Sequence, residues 1–271
     1  GRDEFSKDYK IYLNSSENIE TGYTNQDYED IKSIPGVIDI YKNKMVYVKA
    51  LFPYDRLTEE YKNHILGSTG SAVTKIEGTE IYKPIRASAF WAYDLRQLEE
   101  SRQHLSSGTL DEKELNKENG VVIVQNLAIV RHEDQRKATI KMADLKVGDY
   151  IFLDTQGQIT MDSKEELEKL TKLKVMGILE KVPFDRPYPS TSIAVITTEV
   201  IFKKMTGVNF YRGFDIVIDK KIRGKDMKDR LSRIAGKVRG GLVVDVGERS
   251  SMIEQGKFTT SVLLYGFVVV I

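Results

Sequence analysis

Cysteine is absent from all 271 residues. That excludes disulfides, thiolate metal sites and thiol nucleophiles together, and it suits a chain facing an oxidising exterior. Histidine occurs three times, so imidazole chemistry has few candidates. A surplus of one charge is missing too, since 41 Lys+Arg stand against 40 Asp+Glu. Nucleic-acid binders carry a basic excess, so nucleic acid is not an expected partner. Signatures of nucleotide and hydrolase chemistry are also lacking. No GxGxxG opens a helix after a strand, and no GxSxG, HExxH or EF-hand loop occurs. The run Gly67-Ser68-Thr69-Gly70-Ser71 has no Gly-Lys-Ser/Thr behind it, so it reads as a flexible loop rather than a phosphate cradle. No cofactor, no metal site and no catalytic residue are expected. The start, Gly1-Arg2-Asp3-Glu4-Phe5, carries no secretory signal and reads as a cut in a longer protein.

What is present is a globular profile, 41% hydrophobic and 30% charged. Tyr9 to Leu13 alternates like a strand. Thr24 and Asp27 make a capping box for a short helix carrying Tyr28 and Ile31, which Pro35-Gly36 ends. Val37 to Phe52 alternates around Lys42-Asn43-Lys44, as a hairpin or one long bent strand. Ala87 to Tyr93 is a strand holding the only Trp, and Asp94 caps a helix expected to reach Ser106, with Gly108 stopping it. Val121–Val124, Val147–Leu153, Leu173–Leu179 and Ile193–Thr197 are further strands, and Thr198 starts a helix closed by Gly207. Near the end, Phe214–Ile218 is a strand. Met227, Leu231 and Ile234 mark a helix face, and Gly240-Gly241 turns into the strand Leu242–Val246. Strand–helix–strand therefore occurs twice, near 9–52 and 211–246. Two such units make the split βαβ, ferredoxin-like arrangement. The expected class is α+β with two lobes: residues 1–83 plus 207–258 form one, and 84–206 form an inserted strand-rich lobe.

Chemistry-bearing clusters are weak. His132-Glu133-Asp134 are adjacent and point apart, which suits a solvated loop better than a ligand set. The doublets Glu59/Glu60, Glu99/Glu100 and Glu165/Glu166 suit the wet faces of helices better than a cleft with opposed carboxylates. One segment favours contact with a partner: Val182-Pro183-Phe184-Asp185-Arg186-Pro187-Tyr188-Pro189. Prolines lower the entropy lost on presenting side chains, and Phe184, Arg186 and Tyr188 are of the types that bind. The plainer reading is a stiff connector between strands. Residues Thr259 to Ile271, TTSVLLYGFVVVI, carry no charge. The stretch from Ser261 would rise only about 16 Å as a helix, half a bilayer. It reads as the start of a truncated membrane helix, with a buried terminal strand as the alternative.

The order of these elements resembles the large extracytoplasmic loop of FtsX-like/MacB-like ABC-transporter permeases. Tyr93-Asp94 through Asp111 carries part of the resemblance, and Asn119-Gly120-Val121-Val122-Ile123-Val124 with Leu127-Ala128 carries more. Lys146-Val147-Gly148-Asp149-Tyr150-Ile151, Lys174-Val175-Met176-Gly177-Ile178-Leu179 and the run from Glu248 to Ile271 complete it. The resemblance implies a porter-like lobe made from both chain ends and an inserted sabre-like lobe, on the extracytoplasmic side of a bacterial cell membrane. It implies partnership with a cytosolic ABC ATPase and a second permease subunit, and no enzymatic activity in this chain. The expected function is to couple ATP hydrolysis elsewhere to movement, export or release of an extracellular peptide, lipid or lipoprotein, or to signalling. The alternative is a static, membrane-anchored binding or sensing module.

Overall fold

The computed structural model describes residues 8–13, 19–63, 73–76, 79–82, 88–130, 137–154, 168–185, 193–222 and 224–247. It divides into two compact units, one joining the chain up to Lys42 with the chain from Phe210 onward, the other Asn43–Asn209. Strands and helices are numbered along the chain, β3 (Val73–Ile76) and β4 (Thr79–Tyr82) being an antiparallel pair.

The first unit contains strand β1 (Tyr9–Leu13), helix α1 (Asn25–Lys32), the opening residues of β2 (Val37–Pro53), β13 (Gly213–Ile218), α5 (Lys225–Ala235) and β14 (Gly241–Asp245). Its strands lie in the order β2-β13-β1-β14. β1 is antiparallel to both neighbours, Ile11 facing Phe214 on one side and Val243 on the other. This is the split βαβ sheet of a ferredoxin-like lobe. Alternation decides which face is covered: Tyr9, Ile11 and Leu13 are buried while Lys10 and Tyr12 are half-buried. The helices lie on the buried face because their apolar residues recur every three or four positions. Met227, Leu231 and Ile234 of α5 join Ile31 of α1, Phe214 and Ile216 in one core. Thr24 and Asp27 form the capping box at the start of α1, which stabilises a helix by about 1 kcal/mol. Across the core, the Tyr23 hydroxyl donates to the Ala235 carbonyl at 2.9 Å. Burial first, and the Asp27 charge second, push that hydroxyl's pKa up to about 12.

The second unit is strand-rich, and its pairings form a closed ring. β2 is antiparallel to β5 (Ser88–Tyr93), which is parallel to β12 (Ala194–Thr198). β12 is antiparallel to β7 (Gly120–Val124), and β7 is parallel to β11 (Thr171–Leu179). β11 is antiparallel to β10 (Tyr150–Asp154), which returns to β2 with Leu153 facing Ala50. Six strands thus make a small barrel, whose interior side chains fill. Around it pack α2 (Leu95–Ser101), α3 (Glu112–Glu118) and α4 (Glu199–Thr206), whose Leu98, Leu115 and Phe202 are fully buried.

Several expectations change in this unit. Of the two readings of Val37 to Phe52 the single long strand forms: β2 continues through Lys42-Asn43-Lys44, and from Asn43 onward it belongs to the second unit rather than to the lobe expected to reach residue 83. The helix after Asp94 ends at Ser101, not Ser106. A 3-10 turn follows (Arg102–His104), and then β6 (Leu105–Gly108) pairs with β11. Gly108 is not a helix stop but a strand residue at φ +84°, where a Cβ would come within 2.1 Å of the Met176 carbonyl oxygen. Pairing with β11 overrides the helix propensity of Gln103 to Ser106. Val147 and Gly148 form a turn, so the strand begins at Tyr150. The short helix α3 and the hairpin of β8 (Asn126–Val130) with β9 (Lys137–Lys141) are additional to the elements that the sequence predicts. The expected membrane segment 259–271 lies outside the described residues, and no helix among the described residues is long and apolar enough to cross a membrane.

Candidate partner-binding site

β11 ends at Leu179, and the chain then runs through Glu180, Lys181 and Val182 into a turn at Pro183–Asp185. Two features meet on this connector. One is the turn, where Phe184 has φ +65° and ψ +27°, a left-handed conformation that a bulky side chain seldom takes. Its ring is fully buried, edge-on to Tyr93 with centroids 5.5 Å apart, and the Tyr93 hydroxyl donates to the Pro183 carbonyl at 3.3 Å. Aromatic packing plus one hydrogen bond contribute about 1–3 kcal/mol, enough to offset a backbone strain of order 1–2 kcal/mol.

The other feature is a half-open groove of about 320 Å³ beside β6. Ser106 and Ser107 line one side, and Ile178, Leu179 and Glu180 another. Gln125, Asn126, Leu145 and Lys141 complete it. Gln125 is spoken for: its amide donates to the Leu145 carbonyl at 3.0 Å and its oxygen accepts the Leu145 N–H at 2.9 Å. That two-way clamp fixes the floor. Asn126 donates to the Glu180 carbonyl at 2.9 Å, and the Ser106 hydroxyl to the Ile178 carbonyl at 2.9 Å. Lys141 pairs with Asp144. The groove therefore offers exposed Ser107, a lysine and a glutamate over an aliphatic floor. Such a lining suits recognition of a chain with both polar and apolar groups; no nucleophile–base pair lies in it.

The three residues expected to meet a partner divide as follows. Phe184 points inward and anchors the turn, so its ring packs the barrel unit. Arg186 and Tyr188 lie outside the described residues, as do His132-Glu133-Asp134 and Glu165/Glu166. The remaining carboxylate doublets are held by helical neighbours: Glu59 by Lys62, Glu99 by Arg102 and Glu100 by Arg96. The guanidinium of Arg102 holds Glu99 below the usual carboxylate range. Among the described residues no cluster of three metal-ligating side chains occurs. Sequence reading missed the groove, whose walls come from positions as far apart as Ser106 and Glu180. It also missed the Lys44–Glu199 ion pair at 3.4 Å, whose lysine is nearly enclosed.

No protein-family model and no curated protein matches the chain. Among solved structures it is similar to the periplasmic region of MacB from Actinobacillus actinomycetemcomitans. There the identity is 8% and the TM-score 0.45, over 91% of this chain and 92% of that one. It is also similar to the extracellular domain of the noncanonic ABC-type transporter YknZ from Gram-positive bacteria. In that case the identity is 13% and the TM-score 0.44, over 87% of this chain and 98% of that one.

Proposed function

We propose that this chain is an extracytoplasmic domain of an ABC-transporter permease, a non-catalytic body that turns shifts of membrane helices into movement of a lobe. One observation carries the reading. The first and last described strands pair side by side: β1 and β14 share five register pairs, Tyr9 facing Asp245, and the Val246 N–H donates to the Asp8 carbonyl at 3.0 Å. A displacement delivered to the chain before Asp8 or after Val246 therefore reaches the same corner of the ferredoxin-like lobe, which moves as a body. In this reading a cytosolic ATPase supplies the energy, a second permease subunit completes the membrane part, and the site is a bacterial cell membrane. The cargo or signalling partner is a peptide, lipid or lipoprotein, met at the groove beside β6 and at Arg186 and Tyr188 of the adjoining segment.

These 271 residues contain no cysteine, so two introduced thiols are the only labelling sites within the domain. Spin labels on Asp229→Cys in α5 and Lys113→Cys in α3, both exposed, report the distance between the two units in the intact membrane protein. The expected result is co-purification of an ATPase chain and a distance distribution that changes when ATP is trapped. An unchanged distribution, with no ATPase bound, instead makes the domain a static anchored module.

A further inference from the structure

Balanced overall, the charge of this protein is uneven locally. Residues 220–225 read KKIRGK, four cations without a carboxylate, and 32–38 read KSIPGVI, one cation without a carboxylate. The fold brings these segments together in the first unit. The Asp219 N–H donates to the Gly36 carbonyl at 2.8 Å, and a Cβ on Gly36 would lie 3.0–3.3 Å from three carbon atoms of Ile222. At this corner, where β13 ends and β2 begins, two isoleucines stand in solvent: Ile38 is 66% exposed and Ile222 49%. Lys32, Lys221 and Lys225, on the same two segments, are exposed and make no ion pair among the described residues. Farther along, the cations are neutralised, Arg230 by Asp226 and Lys237 by Asp27 and Asp30. The flanking carboxylates Asp39 and Asp219 accept the backbone N–H groups of Ile40 and Lys221.

We propose that this corner, which carries exposed Ile38 and Ile222 and the cations Lys32, Lys221 and Lys225 on the same two segments, docks on the surface of a bilayer containing anionic phospholipid. Charge complementarity supplies the attraction to the headgroups. The two aliphatic side chains decide between a bilayer and a soluble polyanion, because only a bilayer offers an acyl boundary to bury them. The corner lies at the same end of the sheet as Asp8, whose carboxylate accepts the Ile218 N–H at 3.1 Å, but a vesicle assay reads it without any ATPase, so its failure is distinguishable from failure of the transport reading.

The test is co-sedimentation of the full chain with vesicles of phosphatidylcholine alone and of phosphatidylcholine mixed equally with phosphatidylglycerol. Partition should require phosphatidylglycerol and fall as salt rises. Lys221→Gln with Lys225→Gln should weaken it about 25-fold, at roughly fivefold per cation. Ile38→Ser with Ile222→Ser should weaken it about tenfold or more. Thermal melts of both double variants should match the parent, because all four side chains are exposed. The proposal is overturned if phosphatidylglycerol vesicles bind no chain, or if both double variants partition as the parent does, which would assign binding to another segment such as 259–271. Loss with the lysine variants alone, the isoleucine variants binding normally, also overturns it and marks a site for a soluble polyanion.

Discussion

Strands β1 and β7 are both five residues long, yet they are buried differently. In β1, buried and half-buried residues alternate; in β7 all five are buried. β5 and β12 repeat the pattern of β7. In the ferredoxin-like sheet both helices pack against one face, so β1 needs one apolar side, while β13 in the middle of the sheet is buried at all but one position. β5, β7 and β12 of the barrel face its interior on one side and α2, α3 or α4 on the other, so both of their sides are buried, whereas β10 and β11 alternate. The same backbone geometry thus serves two kinds of element. One keeps a polar face that can meet a neighbour, and the other is committed on both faces and tolerates little change.

The two units should respond differently to loss of one core side chain from each. Phe90 of β5 is fully buried and its ring lies 5.4 Å from that of Phe202. Phe90→Ala should cost about 4 kcal/mol, since the barrel can relax little into the space. Leu231→Ala in α5, equally buried, should cost about 3 kcal/mol, because a single helix can settle toward its sheet. Hydrogen exchange reads each unit separately: amides of β7 and β12 should lose protection in the first variant, those of β1 and β13 in the second. Equal loss in both units from either variant would show one cooperative body and dissolve the contrast.

Gly108→Ala sharpens it from the backbone side. The residue sits at φ +84° with the Met176 carbonyl oxygen 2.1 Å from any Cβ, and Thr109 N–H bonds that same oxygen at 2.9 Å. Left-handed strain and the clash together should cost about 2–3 kcal/mol in a urea titration. The loss should fall on β6 and the groove wall it carries, so ligands of the groove should weaken in parallel. A variant as stable as the parent would mean that β6 is loosely held and that the groove is not a built feature.

How far the sequence led depends on the same contrast. In the ferredoxin-like unit the signals are local and they hold. Thr24 and Asp27 cap α1, the spacing of Met227, Leu231 and Ile234 faces α5 inward, and Gly240-Gly241 opens β14. Thr198 and Gly207 bracket α4 equally well, Gly207 taking φ +70°. In the barrel unit, closure depends on β10 reaching β2 across about a hundred residues, which no local pattern encodes. Gln103 to Ser106 has the composition of a helix end and becomes turn and strand because β11 has an open edge there. Phe184 lies among prolines, which suggest display, yet its ring is an anchor. The left-handed turn that buries it has no signature in a phenylalanine. The groove was invisible for the same reason, being assembled from five separate segments.

The smallest expected effect is electrostatic. In the ferredoxin-like unit Asp27 is a buried carboxylate at the surface end of α1. Burial alone would raise its pKa. The Thr24 N–H at 2.8 Å and the Lys237 ammonium at 3.0 Å outweigh burial and hold it below the ordinary carboxylate range. A depressed carboxylate adds stability that is fully present above its unfolded value of about 3.9 and is lost as pH falls through the lower folded value. Lys237 is about half exposed, 47%, so solvent screens its share and the pair is worth less than about 1 kcal/mol. Lys237→Met should therefore lower stability at pH 7 by that small amount, and the difference from the parent should shrink as the pH is taken below 4. Urea titrations at pH 7 and pH 3 measure it. A difference that persists undiminished at pH 3 would mean that the lysine acts through the packing of its alkyl chain on α1 rather than through its charge.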